Sequence, residues 1–157
     1  MKILLWPHPT LKKLSEPVAE VTDDIKQLVS DMYDSMKIAG GVGLSAVQVG
    51  VLKQVIIVDI GKGLQVYLNL KVKSTQPKVP MLEGCLSLPG FFDTVKRFES
   101  IDIEYDDLQM KHTTETVDGL LGHVLQHEHD HMKGVLFVDF LSPARRQLIR
   151  GNMRKHK

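Results

Sequence analysis

The chain has 157 residues, 43% hydrophobic and 25% charged, which suits one globular domain spanning 1–157 that buries roughly two thirds of its unfolded surface without disulfides. A net charge of +1 excludes bulk nucleic-acid binding through one dominant basic face and offers nothing for sequence-specific nucleic-acid recognition. The single cysteine, Cys85, excludes an internal disulfide framework; no apolar run approaches the roughly 18 residues a membrane span needs, and Met1–Pro7 is too short and proline-broken for a signal peptide, so a cytoplasmic protein without a membrane partner is expected.

Along the chain, Thr22 caps a predicted helix with Asp23 and Asp24 in its first turn, where they favour the helix dipole. Ile25, Leu28, Val29, Met32 and Met36 keep the helical period, and Gly40-Gly41 end it. Gly40 to Gly50 reads as a glycine-rich loop; it lacks the Lys-Ser/Thr ending of a phosphate loop, so nucleotide binding is rejected there. Residues 54–60 and 64–72 read as strands across the Gly61-Lys62-Gly63 turn. Ile101, Ile103 and Tyr105 alternate in another strand, returning through 110–117 after an Asp106-Asp107 turn.

A second helix is predicted from near Asp118 to before Gly134, with those two residues as caps. Leu120, Val124, His127 and His131 form one stripe of it, beside Leu121, Leu125, Glu128 and Met132, so its polar chemistry continues an apolar, inward surface. A last helix opens at Ser142-Pro143 and carries Arg145, Arg146, Arg150, Arg154 and Lys155, read either as a solvated end or as a basic docking surface. Helix, antiparallel strands and helix without βαβ alternation make an α+β fold: antiparallel strands packed around a central metal-binding helix, with an N-terminal helix and a C-terminal helix.

The chemistry centres on His127-Glu128-His129-Asp130-His131. Two histidines four apart share a helix face and can grip one ion, while the glutamate after the first can carry protons. His123 lies about 12 Å along the axis from His131 and does not join them on one tetrahedral ion. His129 projects about 200° around the helix from His127 and reads as surface; His8, His112 and His156 carry no partner signal. A catalytic site of this type uses three protein ligands, and Cys85 is the candidate third, although a lone cysteine is also an ordinary buried hydrophobe or a nucleophile.

Three segments resemble the motifs of the peptide deformylases. Gly41-Val42-Gly43-Leu44-Ser45-Ala46-Val47-Gln48 is similar to Gly-x-Gly-Leu-Ala-Ala-x-Gln, Glu83-Gly84-Cys85-Leu86-Ser87 matches outright, and Gln126 to His131 matches Gln-His-Glu-x-Asp-His. Ile3-Leu4 through Leu11 and Leu141-Ser142-Pro143 also resemble the family, so the likeness spans nearly the whole chain. It implies a hydrolase of N-terminal processing in protein biosynthesis, removing formate from N-formylmethionyl peptides. It further implies metal ligation by Cys85, His127 and His131, Glu128 as general acid/base, and the Gln48 amide and Leu86 N–H as oxyanion donors. The metal implied is ferrous iron, with zinc, nickel or cobalt able to take its place.

Val42, Gly43, Leu120, His123 and Val124 are the expected substrate wall. Glu83 and Arg97 are expected to pair behind Cys85, and Asp130 to orient a ligating histidine or anchor backbone. The chain departs from the pattern at Ser45, where alanine is usual, at Val47, at Leu70 after Asn69, at Gly122 in place of alanine, at His123, where an apolar group is common, and at Phe91-Phe92, where an arginine often holds substrate. Two other readings remain at this point: a metallopeptidase, and a non-catalytic metal-braced module docking on the ribosome through the last helix. The cysteine ligand and Gln48 count against the first, and intact Glu128 and Gln48 against the second, since a purely structural site needs neither.

Overall fold

A computed structural model describes residues 1–155. The first helix, α1, runs Asp23–Ala39; Thr22 Oγ1 accepts from the Ile25 N–H at 3.3 Å, and Gly40 closes it at φ 75°. Leu28, Val29, Met32 and Met36 bury its inner face against Leu44, Val55, Ile57 and Leu68.

The strands are β1 (Gly43–Ser45), β2 (Val55–Val58), β3 (Gln65–Lys73), β4 (Lys78–Cys85), β5 (Leu88–Phe98), β6 (Ser100–Asp106) and β7 (His112–Asp118). They form an antiparallel five-stranded sheet in the order β1-β2-β3-β6-β7, and β4 and β5 form a separate hairpin. Two features of the strands differ from the sequence expectation. The segment read as a glycine-rich loop contains β1 and a 3-10 helix, Ala46–Val49. Three residues are too few to display a period, and it is pairing with Val58, Ile57 and Ile56 of β2 that makes β1 a strand. The β4–β5 hairpin has no sequence forecast at all: Pro80 and Gly84 interrupt β4, and both are tolerated because β4 pairs on one side only.

The second helix, α2, runs Gly119–Met132 with Asp118 as N-cap. Its C-cap is Lys133, one residue before the glycine expected in that role. Gly134 follows at φ 76°, and a Cβ there would stand 2.4 Å from the Lys12 carbonyl oxygen, so both the backbone and the close approach require glycine. One face of α2 packs Val124, Leu125 and Met132 against Ile56, Val58, Tyr67, Ile101 and Ile103 of the large sheet, and β5 of the hairpin also touches the helix. The last helix, α3 (Pro143–Arg154), starts where Ser142 Oγ accepts from the Arg145 N–H. Its buried Ile149 and Met153 dock on Trp6, Leu11 and Phe137.

Candidate active site

α2 stacks His127 and His131 on one face, and their Nε2 atoms lie 3.1 Å apart. The end of β4 delivers Cys85, whose Sγ is 3.3 Å from His131 Nε2. The three donor atoms lie within 4.8 Å of one another, the one such group of three or more found among the described residues. Ligand bonds of about 2.0–2.1 Å to nitrogen and 2.3 Å to sulfur separate tetrahedral donors by roughly 3.3–3.6 Å. The His127–His131 and Cys85–His131 separations are close to that span, so the three donors could hold one ion. The facing ring nitrogens of His127 and His131 are close enough to share one proton. Burial disfavours charge on both; the Cys85 sulfur and Glu83 nonetheless hold His127 protonated well above its ordinary range, while burial and the His127 charge push His131 well below.

Glu83 organises this arrangement from behind. Its buried carboxylate accepts from Arg97 Nε and Nη2 at 2.9 and 2.7 Å, from His123 Nε2 at 2.8 Å and from His127 Nδ1 at 2.5 Å. With Nδ1 engaged, His127 turns Nε2 towards Cys85 and His131. Burial alone would raise the Glu83 pKa, but the bonds from His123, His127 and Arg97 hold it well below the carboxylate range. Asp130 reaches Arg97 Nη1 at 2.6 Å rather than a histidine ring, and His131 Nδ1 is buried without a partner among the described residues.

Gln48 lies in the 3-10 helix after β1. Its Oε1 accepts from the Ser45 N–H at 3.0 Å, which aims Nε2 at Ser87 Oγ (3.1 Å) and towards Cys85 Sγ (3.6 Å). Leu86 follows Cys85 in the turn between β4 and β5. Glu128 is 3% exposed; Ser45 Oγ lies 2.8 Å from its Oε2, and its Oε1 is 3.8 Å from His127 Nε2. Burial raises the Glu128 pKa, against the opposing His127 charge and the Ser45 bond. A buried carboxyl so tuned suits a proton carrier.

Above these groups opens a cavity of about 450 Å³ lined by Val42, Gly43, Leu120, His123 and Val124, together with Cys85, Leu86 and Glu128. Gly43 admits the carboxylate: a Cβ there would meet Val124 at 2.7 Å and Glu128 Oε1 at 3.1 Å. His123 lines the wall while its ring is tied to Glu83. Phe91 and Phe92, which the sequence marked only as replacing a substrate-holding arginine, also line the cavity; Ser45, marked only as a departure beside Gln48, touches Glu128, and Ser87, given no role, touches Gln48. The two serines stand inside the motifs, which was the available signal. His129, expected at the surface, is half-buried, and burial lowers its pKa to about 4. His8 accepts from the Thr10 N–H and His112 pairs with Asp106, both away from the site; His156 lies outside the described residues.

The family model described as polypeptide deformylase matches residues 1–147. A peptide deformylase of Acinetobacter baumannii (strain SDF) is 42% identical to the chain, over 99% of the chain and 90% of that protein. The crystal structure of a peptide deformylase from Legionella pneumophila is 40% identical and superposes with a TM-score of 0.94, covering 99% of this chain and 94% of that one. One from Ehrlichia chaffeensis, in complex with actinonin, is 34% identical with a TM-score of 0.95, covering 100% and 97%. Fold, motif order and relatives agree along the length of the molecule: the chain belongs to the polypeptide deformylase family.

Proposed function

We propose that residues 1–157 act as one catalytic domain that hydrolyses the formamide of N-formylmethionyl polypeptides, releasing formate and a free amine. The observation that carries this reading is the convergence of Cys85 Sγ, His127 Nε2 and His131 Nε2 beside the buried Glu128 carboxylate, at the base of an apolar-walled cavity. We assign Cys85, His127 and His131 as ligands of one divalent ion, ferrous iron by preference, with zinc, nickel or cobalt able to replace it. A thiolate and two imidazoles suit a late first-row metal. Such an ion, when bound, would supply Lewis acidity and a source of hydroxide at neutral pH.

The chain's own groups do the rest. Val42, Gly43, Leu120, His123 and Val124 receive the first side chain of the substrate and exclude water around the formyl group. Glu128 accepts the proton of the attacking water and returns it to the departing nitrogen, which leaves as amine rather than amide anion. Gln48 Nε2 and the Leu86 N–H donate to the carbonyl oxygen as negative charge builds there; losing one such donor typically costs about 2.7–4 kcal/mol. Glu83 holds the His127 ring, and Arg97, braced by Asp130, holds Glu83.

Replacing Glu128 by Ala tests the assignment. Formate release from formyl-Met-Ala should be abolished while the metal stays bound, because Glu128 is not a ligand; parallel loss of metal and activity would overturn it. We also propose that the basic face of α3 docks on the ribosome, where the substrate emerges, and hence that the enzyme works in the cytoplasm. Arg146, Arg150 and Arg154, spaced by four, border one shallow groove, and no helix among the described residues is long and apolar enough to cross a membrane.

A further inference from the structure

Ser45 is the departure from the family pattern that lies nearest the reacting groups. It ends β1 fully buried, and its backbone N–H holds Gln48 Oε1. Its hydroxyl stands 2.8 Å from Glu128 Oε2 and 2.9 Å from the Glu128 carbonyl oxygen. A hydroxyl has one proton and serves one acceptor at a time. The carbonyl belongs to α2, where the helical ladder already supplies a donor, whereas an ionised carboxylate gives the stronger, charge-assisted bond. The hydroxyl therefore donates to Oε2. Among the described residues it is the one hydrogen-bond donor to this carboxylate, since His127 Nε2 is 3.8 Å from Oε1.

The two oxygens of Glu128 are thus not equivalent. Oε2 is anchored to β1, and Oε1 lies over Gly43, where no Cβ intervenes. We propose that Ser45 is a positioning residue that fixes Glu128 through Oε2 and so selects Oε1 as the oxygen that takes and returns the proton. The inference rests on the proposed deformylase chemistry of this site. The balance is simple: the proton from the attacking water is held on Oε1 and passes from there to the leaving nitrogen, while the serine keeps its own proton throughout. Alanine at this position supplies no donor, and the buried carboxylate would then be free to turn either oxygen to the cavity, or neither.

The test uses the metal-loaded enzyme and formyl-Met-Ala, with formate release as the assay. A hydrogen bond to a charged group contributes enough that its loss corresponds to roughly tenfold or more, so Ser45→Ala is expected to lower kcat by about tenfold. KM and metal content should stay unchanged, because neither the cavity wall nor a ligand is altered. Ser45→Thr, which keeps the hydroxyl, should restore most of kcat. If the added methyl prevents folding, a double variant decides: in a Glu128→Gln background, Ser45→Ala should leave the residual rate unaltered. Wild-type kcat in Ser45→Ala, or an equal fall in the Glu128→Gln background, would overturn the assignment of Ser45 while leaving the deformylase reading intact. Failure of the wild-type protein to release formate would sink both.

Discussion

Replacing Glu83 by Gln keeps the side chain's shape and removes its charge, and the hydrogen bonds around it state what should follow. Each carboxylate oxygen takes two donors: Oε1 from Arg97 Nε and His123 Nε2, Oε2 from Arg97 Nη2 and His127 Nδ1. An amide can serve only one of those pairs, and its NH2 end then faces the other two donors. Side-chain exposures of 4% for Glu83 and 6% for Arg97 leave no solvent to compensate. Removing one partner of such a buried pair costs about 3–5 kcal/mol. At about 2–4 °C per kcal/mol for a chain of this size, the melting temperature should fall by roughly 6–20 °C. His127 also loses the acceptor behind its ring, which typically weakens metal affinity by about 10–100-fold. Scanning calorimetry and competition with a chelator read the two effects. The pH dependence has a definite sign. The folded pKa of Glu83 is depressed below its ordinary 4.5, so its stabilisation is complete above that value and is lost as pH falls. The gap in melting temperature between wild type and Glu83→Gln should therefore hold from about pH 7 to 5 and shrink in more acid solution. Equal melting temperatures and equal metal affinity at pH 7 would refute the role given to this network.

Cys85→Ala should release metal on dialysis, because a charged ligand disappears, and full retention by elemental analysis would remove Cys85 from the site. His123→Ile replaces a polar part of the cavity wall by an apolar one, and should raise the kcat/KM preference for formyl-Met over formyl-Ala peptides by about tenfold, mainly through KM. Because the His123 ring also donates to the buried Glu83 carboxylate, the same variant should lose roughly 1.5–3 kcal/mol of stability; an unchanged substrate ratio would place His123 outside the substrate pocket. Removing Arg154 to Lys157, of which His156 and Lys157 lie outside the described residues, should leave hydrolysis of a small formylated peptide unaltered. The same trim should weaken ribosome co-sedimentation, more so at raised salt, and unchanged co-sedimentation would make the basic helix end merely solvated.

What the sequence determined by itself is local or carried by a contiguous motif. Thr22 and Ser142 cap their helices through their own hydroxyls because capping acts within a few residues, Asp118 marks the start of the second helix without a side-chain cap bond, and the i, i+4 spacing of His127 and His131 sets one helix face whatever surrounds it. The antiparallel pairs around Gly61-Lys62-Gly63 and Asp106-Asp107 were legible for the same reason: alternation and turn chemistry sit side by side in the chain. Long-range pairing decided the rest. The β4–β5 hairpin that carries Cys85 and Arg97 has no clean period, because Pro80 and Gly84 interrupt it, and only the partner strand makes it one. Ser45 meets Glu128 across 83 residues, His123 meets Glu83 across 40, and His129 is covered although helix geometry points it away from His127. A hydrogen bond between distant residues leaves no trace in spacing, since its energy exists only once packing has excluded water and brought donor to acceptor.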